Sequence, residues 1–357
     1  MTLVTRIKLL LSRIYIRANR YLNYHKRKNI NFSLQFNKQQ RIIDSKNFIL
    51  TYHKIGHETP DEHGLNVTLD NFESHLKWLL SNYDILSIRE LTDNIQNGTV
   101  GKRSIVLSFD DCYVGSFQRI VDLLNHYRVP GVFYVTTMRM SGGYPYLWNE
   151  LLNKILFGVG NERRLTDLLN ALGLKYKSID IFSEKDLTAT QGWTFHSLSD
   201  PHQRHQIARI LRREFLLANS LIKLEKLYAI CSGLECDEEA KLLTRKSIDS
   251  VKNNSLITIG GHTNSHLNLA RLPADQQYEE ICKNKIFLEN VMGKPVEYFA
   301  FPYGSRDFFT SDTISILKSV GFKSAVTTEF GALDAGSELY LLPRIGIRNH
   351  EKLPEFL

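Results

Sequence analysis

The sequence predicts an α/β chain folded as a parallel (β/α) barrel that carries a helical insertion. Three observations lead there. Short apolar runs rich in β-branched residues alternate with helix-like stretches; about seven or eight such units recur; and polar residues suited to chemistry gather at the C-terminal ends of the runs. With 357 residues and 43% hydrophobic content, the chain is long enough for one large domain or two ordinary ones.

The first 46 residues stand apart. They hold eleven Lys or Arg against a single acid, Asp44, so this segment carries more positive charge than the whole chain's net +7 and the remainder is slightly acidic. Leu3, Ile7, Leu10, Leu11, Ile14, Ala18, Tyr21 and Leu22 share one helical face, with Arg6, Arg13, Arg17 and Arg20 beside it. That pattern suits the anionic inner face of a membrane; a helix packed on the domain with a solvated basic side is the alternative. No zinc finger, RNA-recognition motif or basic recognition helix accompanies the arm, so nucleic acid is not an expected partner. No apolar run reaches the roughly 18 residues of a membrane span, and Ser12 and Arg13 interrupt the only signal-like stretch, Leu9–Leu11. Cys112, Cys231, Cys236 and Cys282 form no CxxC pair and no disulfide framework. The expected location is cytoplasmic, peripheral on the inner membrane face.

From residue 47 onward the runs follow in order. "FILTYH" ends at His53, "YDILSI" spans Tyr83–Ile88, "SIVLSFDD" ends at Asp111 and "GVFYVTT" spans Gly131–Thr137. "LITIGGHT" ends at Thr263, "EYFAFPYG" at Gly304, "SAVTT" at Thr328 and "LYLLPRIGI" at Ile347. Between them "NFESHLKWLLSN" and "SFQRIVDLLNHY" carry helical period. "SIRE" (Ser87–Glu90) is a capping-box start, and "TISILKSVGF" ends on Gly321 as a helix stop.

Residues 141–254 break this rhythm. "NELLNKILFGV", "RRLTDLLNAL" and "PHQRHQIARILRREFLLANSLIKLEKL" all have helical period, so this segment is read as an insertion on a barrel loop. Its Cys231 and Cys236 are read as ordinary residues, and His196, His202 and His205 as surface positions. Tyr146 and Trp148, at its start near the barrel mouth, either stack on a sugar ring or anchor the insertion. His57 and His63 flank "ETPDE" in a loop after the first strand and are read as solvated, with substrate contact as the alternative.

In a parallel barrel, strand C-termini converge on one mouth, where active sites are built. Here they carry His53, Asp110 and Asp111, His262, Pro302-Tyr303-Gly304 and Arg344. His262 and His266 are four apart after two glycines, so a helical turn would aim both imidazoles the same way, as metal ligands require. An Asp from another strand end would complete a His2Asp set with open positions, suited to catalytic Zn²⁺ or another divalent ion. Adjacent carboxylates repel when buried, and a cation beside them resolves that conflict.

The motifs "SFDD", "HTNSH" and "FPYG", in that order, resemble the polysaccharide deacetylases with the NodB-type domain, whose fold is a distorted (β/α) barrel. The resemblance covers residues 47–140 and 255–350. It implies Asp110 as catalytic base, Asp111, His262 and His266 as metal ligands, and the backbone N–H of Tyr303 as an oxyanion donor. The early "LTYHKIG" resembles the circularly permuted branch with exopolysaccharide deacetylases, and there is no C-terminal Leu-x-His motif, only His350; this implies His53 as general acid. Two departures stand out. Cys112 follows the paired Asp where the family often has Gly, placing a thiol near the metal, and Ala300 stands where many members carry an Arg that orients the base. Arg344 of "LLPRIG" is the candidate replacement, since a guanidinium can grip a carboxylate with two parallel hydrogen bonds.

The expected function is therefore a metal-dependent hydrolase of N-acetyl groups on amino sugars of a polysaccharide, oligosaccharide or lipid-linked glycan, with metal-bound water as nucleophile. Removal of another small acyl group such as formyl, and a catalytically silent glycan-binding barrel, remain as alternatives.

Overall fold

A computed structural model describes residues 47–56, 61–101, 103–176, 178–190, 192–217, 221–234, 237–349 and 353. The basic N-terminal segment, His57, Cys236 and His350 lie outside the described residues, and with them the expected amphipathic helix.

The chain enters on β1 (Asn47–Tyr52), followed by a small parallel pair, β2 (Lys54–Ile55) and β3 (Asn66–Val67). Helix α1 (Leu69–Asn82), β4 (Asp84–Ile85), α2 (Ile88–Gln96), β5 (Ser104–Phe109), α3 (Val114–Tyr127) and β6 (Gly131–Val135) come next. After the inserted helices the alternation resumes with β7 (Ile257–Gly261), a long helix Ala274–Met292, β8 (Tyr298–Ala300), a helix Ser311–Ser319, β9 (Ser324–Val326) and β10 (Ile345–Gly346). The strands run parallel in the order β10-β1-β5-β6-β7-β8-β9. The sheet curls into a distorted barrel, and its two ends meet through a bridge between Val326 and Leu342 instead of a full ladder.

All the apolar runs read from the sequence contain strand, but two contribute little. "YDILSI" yields only Asp84–Ile85, because Ser87 caps α2 with the full capping box, its side chain and that of Glu90 satisfying each other's backbone N–H. "LYLLPRIGI" first makes a 3₁₀ turn, Leu339–Leu341, and pairs only at Ile345–Gly346, since Pro343 has no N–H to give a ladder. β4 wedges beside the start of β5 while β6 pairs with its end, one source of the distortion.

Strand alternation explains the barrel interior. Ile49, Val106, Val132, Tyr134, Tyr298 and Val326 cluster with Ile88, Leu91 and Ile95 of α2. One step up, the inward positions turn polar: Thr51 above Ile49, and Ser108 above Val106. Another step gives His53 and Asp110. β7 carries two glycines because both of its faces are crowded. A Cβ on Gly260 would lie 2.5 Å from the Tyr134 ring and 2.9 Å from the Tyr298 carbonyl oxygen, and one on Gly261 would lie 2.7 Å from Asn284 Oδ1.

Between β6 and β7 the chain forms helices at Trp148–Phe157, Glu162–Ala171, Glu184–Thr190, Gln203–Leu217, Leu221–Ile230 and Arg245–Asp249. The long run beginning at Pro201 is thus two helices, not one. These helices have their own apolar core, into which Arg204 is fully buried, donating to Glu162 (2.5 Å) and the Leu156 carbonyl (2.9 Å). His205, expected at the surface, is also fully buried, its ring 5.1 Å from Phe157 and 4.5 Å from Trp193. Helical period places it beside Ala208, at one edge of the buried face, and burial lowers its pKa so that it packs neutral.

Gly260→Ala is expected to cost about 1–3 kcal/mol, the usual penalty of overpacking. Urea denaturation of the variant would show it as a lower midpoint at unchanged slope.

Candidate active site

Asp110 leaves the end of β5 with its N–H bonded to the Tyr52 carbonyl (3.0 Å), so β1 and β5 fix it jointly. Arg344, from just before β10, grips its carboxylate with Nη1–Oδ1 at 2.7 Å and Nη2–Oδ2 at 2.6 Å. The guanidinium is fully buried, and its other hydrogens go to Thr327 O (2.8 Å), Thr51 Oγ1 (3.0 Å) and Ser108 Oγ (3.2 Å). Those inward hydroxyls make a buried cation tolerable. Burial would raise the Asp110 pKa, but the charge and hydrogen bonds of Arg344 outweigh it and hold the carboxyl below its ordinary value.

Asp111 points the other way. Its φ of +63° puts it in the left-handed region, as do φ values of +66° at Cys112, +61° at Thr263, +53° at His266 and +62° at Tyr303. Each such non-glycine residue costs roughly 1–2 kcal/mol, and their concentration in the three motifs marks backbone held for a purpose. Asp111 Oδ2 accepts from Tyr113 OH (3.2 Å). Oδ1 is buried without a hydrogen-bond partner, although Nε2 of His262 and of His266 lie 3.4 and 3.1 Å away. Burial pushes the Asp111 pKa up, yet the two imidazoles keep it well below the ordinary value.

The His262 imidazole is aimed by its neighbours. His262 donates from Nδ1 to the Ala300 carbonyl (2.7 Å), which leaves the Nε2 lone pair facing Asp111. Its N–H is held by Asn284 Oδ1 (3.1 Å), and Asn284 Nδ2 reaches back to the carbonyls of Val135 and Thr263 (both 2.8 Å). Asp111, His262 and His266 form the one group among the described residues able to hold a metal ion. Two imidazole nitrogens and an orphaned carboxylate oxygen, all buried, fit a divalent cation with positions left open.

A cavity of about 260 Å³ unites these groups, lined among others by His53, Asp110, Asp111, His262, His266 and Tyr303. Burial lowers the His53 pKa, opposed by the charges of Asp111 and Asp110. The Tyr303 hydroxyl accepts from Trp148 Nε1 (2.8 Å) and donates to the His266 carbonyl (3.2 Å), so its side chain is locked against the metal-donor turn. The Trp148 indole, stacked at 5.3 Å on Phe215, thereby anchors the insertion, while Tyr146 is buried in the insertion's core.

Two sequence expectations change. The Cys112 thiol does not face the metal donors: it lies 3.6 Å from the Phe109 carbonyl and 3.4 Å from that of Tyr134, and burial together with Asp110 and Asp111 pushes its pKa far up. His63 is no solvated loop residue either. It lines the cavity 5.0 Å from Phe195, and burial, with the charge of Arg212, lowers its pKa to about 3. Thr51 and Ser108 were within reach of strand alternation. Asn284 belongs to no motif, and only its packing reveals it.

The family profile described as polysaccharide deacetylase matches residues 97–244 and 244–325. The chain belongs to the polysaccharide deacetylase family. This family member is 29% identical over 91 residues to the Bacillus subtilis protein YxkH, whose name assigns it to the same family; the match covers 26% of this chain and 32% of YxkH, about a third of that relative. Its fold resembles the Streptococcus pyogenes deacetylase PplD solved in complex with acetate (TM-score 0.54, 19% identity, 87% of this chain and 97% of that one). It also resembles the polysaccharide deacetylase BC0361 from Bacillus cereus (TM-score 0.51, 17% identity, 87% and 68%).

Arg344→Met is expected to destabilise the fold by about 3–5 kcal/mol, because it strands a buried carboxylate; the double variant with Asp110→Asn should recover part of that loss in urea denaturation. Beside the cavity wall, buried Glu62 accepts from Asn153 Nδ2 (2.7 Å), and burial raises its pKa to about 8. The folded chain therefore keeps a proton that the unfolded chain releases above about pH 4.3. That contribution to stability is complete below the unfolded value and fades as pH rises through about 8. Glu62→Gln should gain stability over the wild type at pH 8 and gain little at pH 4, read from denaturation midpoints at both values.

Proposed function

We propose that this family member is a metal-dependent hydrolase that removes N-acetyl groups from amino sugars of a polysaccharide, oligosaccharide or lipid-linked glycan. One observation supports it most: an open His2Asp donor set, an arginine-gripped carboxylate and a half-buried histidine, His53, share one cavity. Asp111, His262 and His266 would hold the cation, and Zn²⁺ best suits two imidazoles and one carboxylate. When bound, such a cation polarises the acyl carbonyl and activates water.

The remaining steps belong to the chain's own groups. Asp110, kept ionised by Arg344, accepts a proton from the attacking water, and the bidentate grip keeps its oxygens oriented. His53 protonates the departing sugar amine; a burial-lowered pKa makes its protonated form the stronger acid. The backbone N–H of Tyr303, in a turn held by its own locked side chain, steadies the oxyanion.

The test measures metal content and acetate release from short N-acetylglucosamine oligomers, for the wild type and Asp110→Asn. The expected result is one divalent ion per chain in both, with acetate release at least about 100-fold slower in the variant. Absence of bound metal and of turnover after added Zn²⁺ or Co²⁺ would overturn the reading.

A further inference from the structure

The inserted helix Gln203–Leu217 carries arginines with different surroundings. Arg204 leaves its Nε without a hydrogen-bond partner among the described residues, but both its Nη groups are spent on Glu162 and on backbone carbonyls inside the helical core, away from the cavity. Arg209 donates to Asp200 (2.9 Å) and to the carbonyls of Phe195 and Ser197 (2.7 Å each). Arg212, one turn on, lines the catalytic cavity instead. Its guanidinium lies 4.8 Å over the Phe195 ring, its Nε is buried without a hydrogen-bond partner, and no ion pair engages it among the described residues. Stacking fixes the plane of a guanidinium and leaves its edge for a ligand.

Among the described residues lining the cavity, none balances this charge. Asp110 is neutralised by Arg344, and Asp111 faces the two imidazoles and the cation they would hold. Burial disfavours the charged forms of His53 and His63, and a neutral imidazole offers no negative charge to pair with a guanidinium. Phe195 is itself fixed: its N–H donates to the Glu62 carbonyl (2.9 Å), which joins the inserted segment to the loop after β2. A positioned cation with an unused donor edge, in a cavity that lacks a free anion, is arranged to receive one.

We infer that Arg212 is a specificity residue that binds an anionic group of the substrate, so that the amino sugar carries a phosphate or a carboxylate. The inference rests on the deacetylase reading for the identity of the sugar, and its test separates the two. Calorimetry on the Zn²⁺-loaded full chain would compare N-acetylglucosamine, N-acetylglucosamine 1-phosphate and N-acetylglucosaminuronic acid, with acetate release followed in parallel. At least one anionic sugar should bind about ten-fold or more tightly than the neutral one, the worth of one charge-assisted hydrogen bond. Which of the two it is identifies the group. Arg212→Gln should bring the ratio close to one, and Arg212→Lys should keep part of it by retaining the charge, which also guards against a folding defect in the glutamine variant. Equal binding of all three sugars by the wild type, or a preference that survives in Arg212→Gln, overturns the inference. An Arg212-dependent preference without acetate from any sugar would uphold it and sink the deacetylase; acetate from all sugars with an unchanged ratio would do the reverse.

Discussion

A guanidinium buried in a barrel needs its hydrogens met by protein, and the geometry around Arg344 meets them from β1, β5 and the segment after β9. That requirement organises the upper barrel. The apolar layer of Ile49 and Val106 gives way to the hydroxyls of Thr51 and Ser108, which accept from Arg344, and above them sits the carboxylate it grips. The sheet's ladder is thinnest where β9 approaches β10, and there the Arg344 Nε bond to Thr327 ties the two ends together. The interaction that orients Asp110 therefore also helps to close the barrel.

Asp110 and Asp111 escape mutual repulsion by diverging. The left-handed backbone at Asp111 turns its carboxylate toward the two imidazoles, while Asp110 stays with Arg344. The donor set is supported from outside the barrel wall. Gly261 leaves the space that Asn284 Oδ1 occupies, and Asn284 in turn holds the backbone of His262, the end of β6 and Thr263. A side chain at Gly261 would displace that amide, and the ligand turn would lose its support. The polar triad and its brace are thus one unit spanning β6, β7 and the helix behind them.

The insertion is more than added bulk. It carries Trp148, whose indole N–H locks Tyr303 against the turn that bears His266, and it supplies Arg212 and, through Phe195, a wall for His63. Its core is built mainly from its own residues, with the buried Arg204 donating to Glu162 and the Leu156 carbonyl, and Tyr113 and Tyr303 join it to the barrel side of the cavity. Barrel strands thus position Asp110, Asp111, His262 and His266, and inserted helices line one side of the cavity they share.

Alternating β and α patterns, the capping box at Ser87 and the helix stop at Gly321 were readable in the chain because they rest on local rules of period two, period 3.6 and turn chemistry. The three motifs were likewise readable, since each is contiguous and sits at a strand end. His205 and His63 were misread because burial depends on what packs over a residue, and neither residue type nor local polarity reports that. Asn284, Tyr113 and Arg212 carried no local signal at all. Arg344 could be nominated as the partner of Asp110, but 234 residues separate the two. Only closure of the barrel brings that guanidinium to the carboxylate, among hydroxyls that make its burial tolerable.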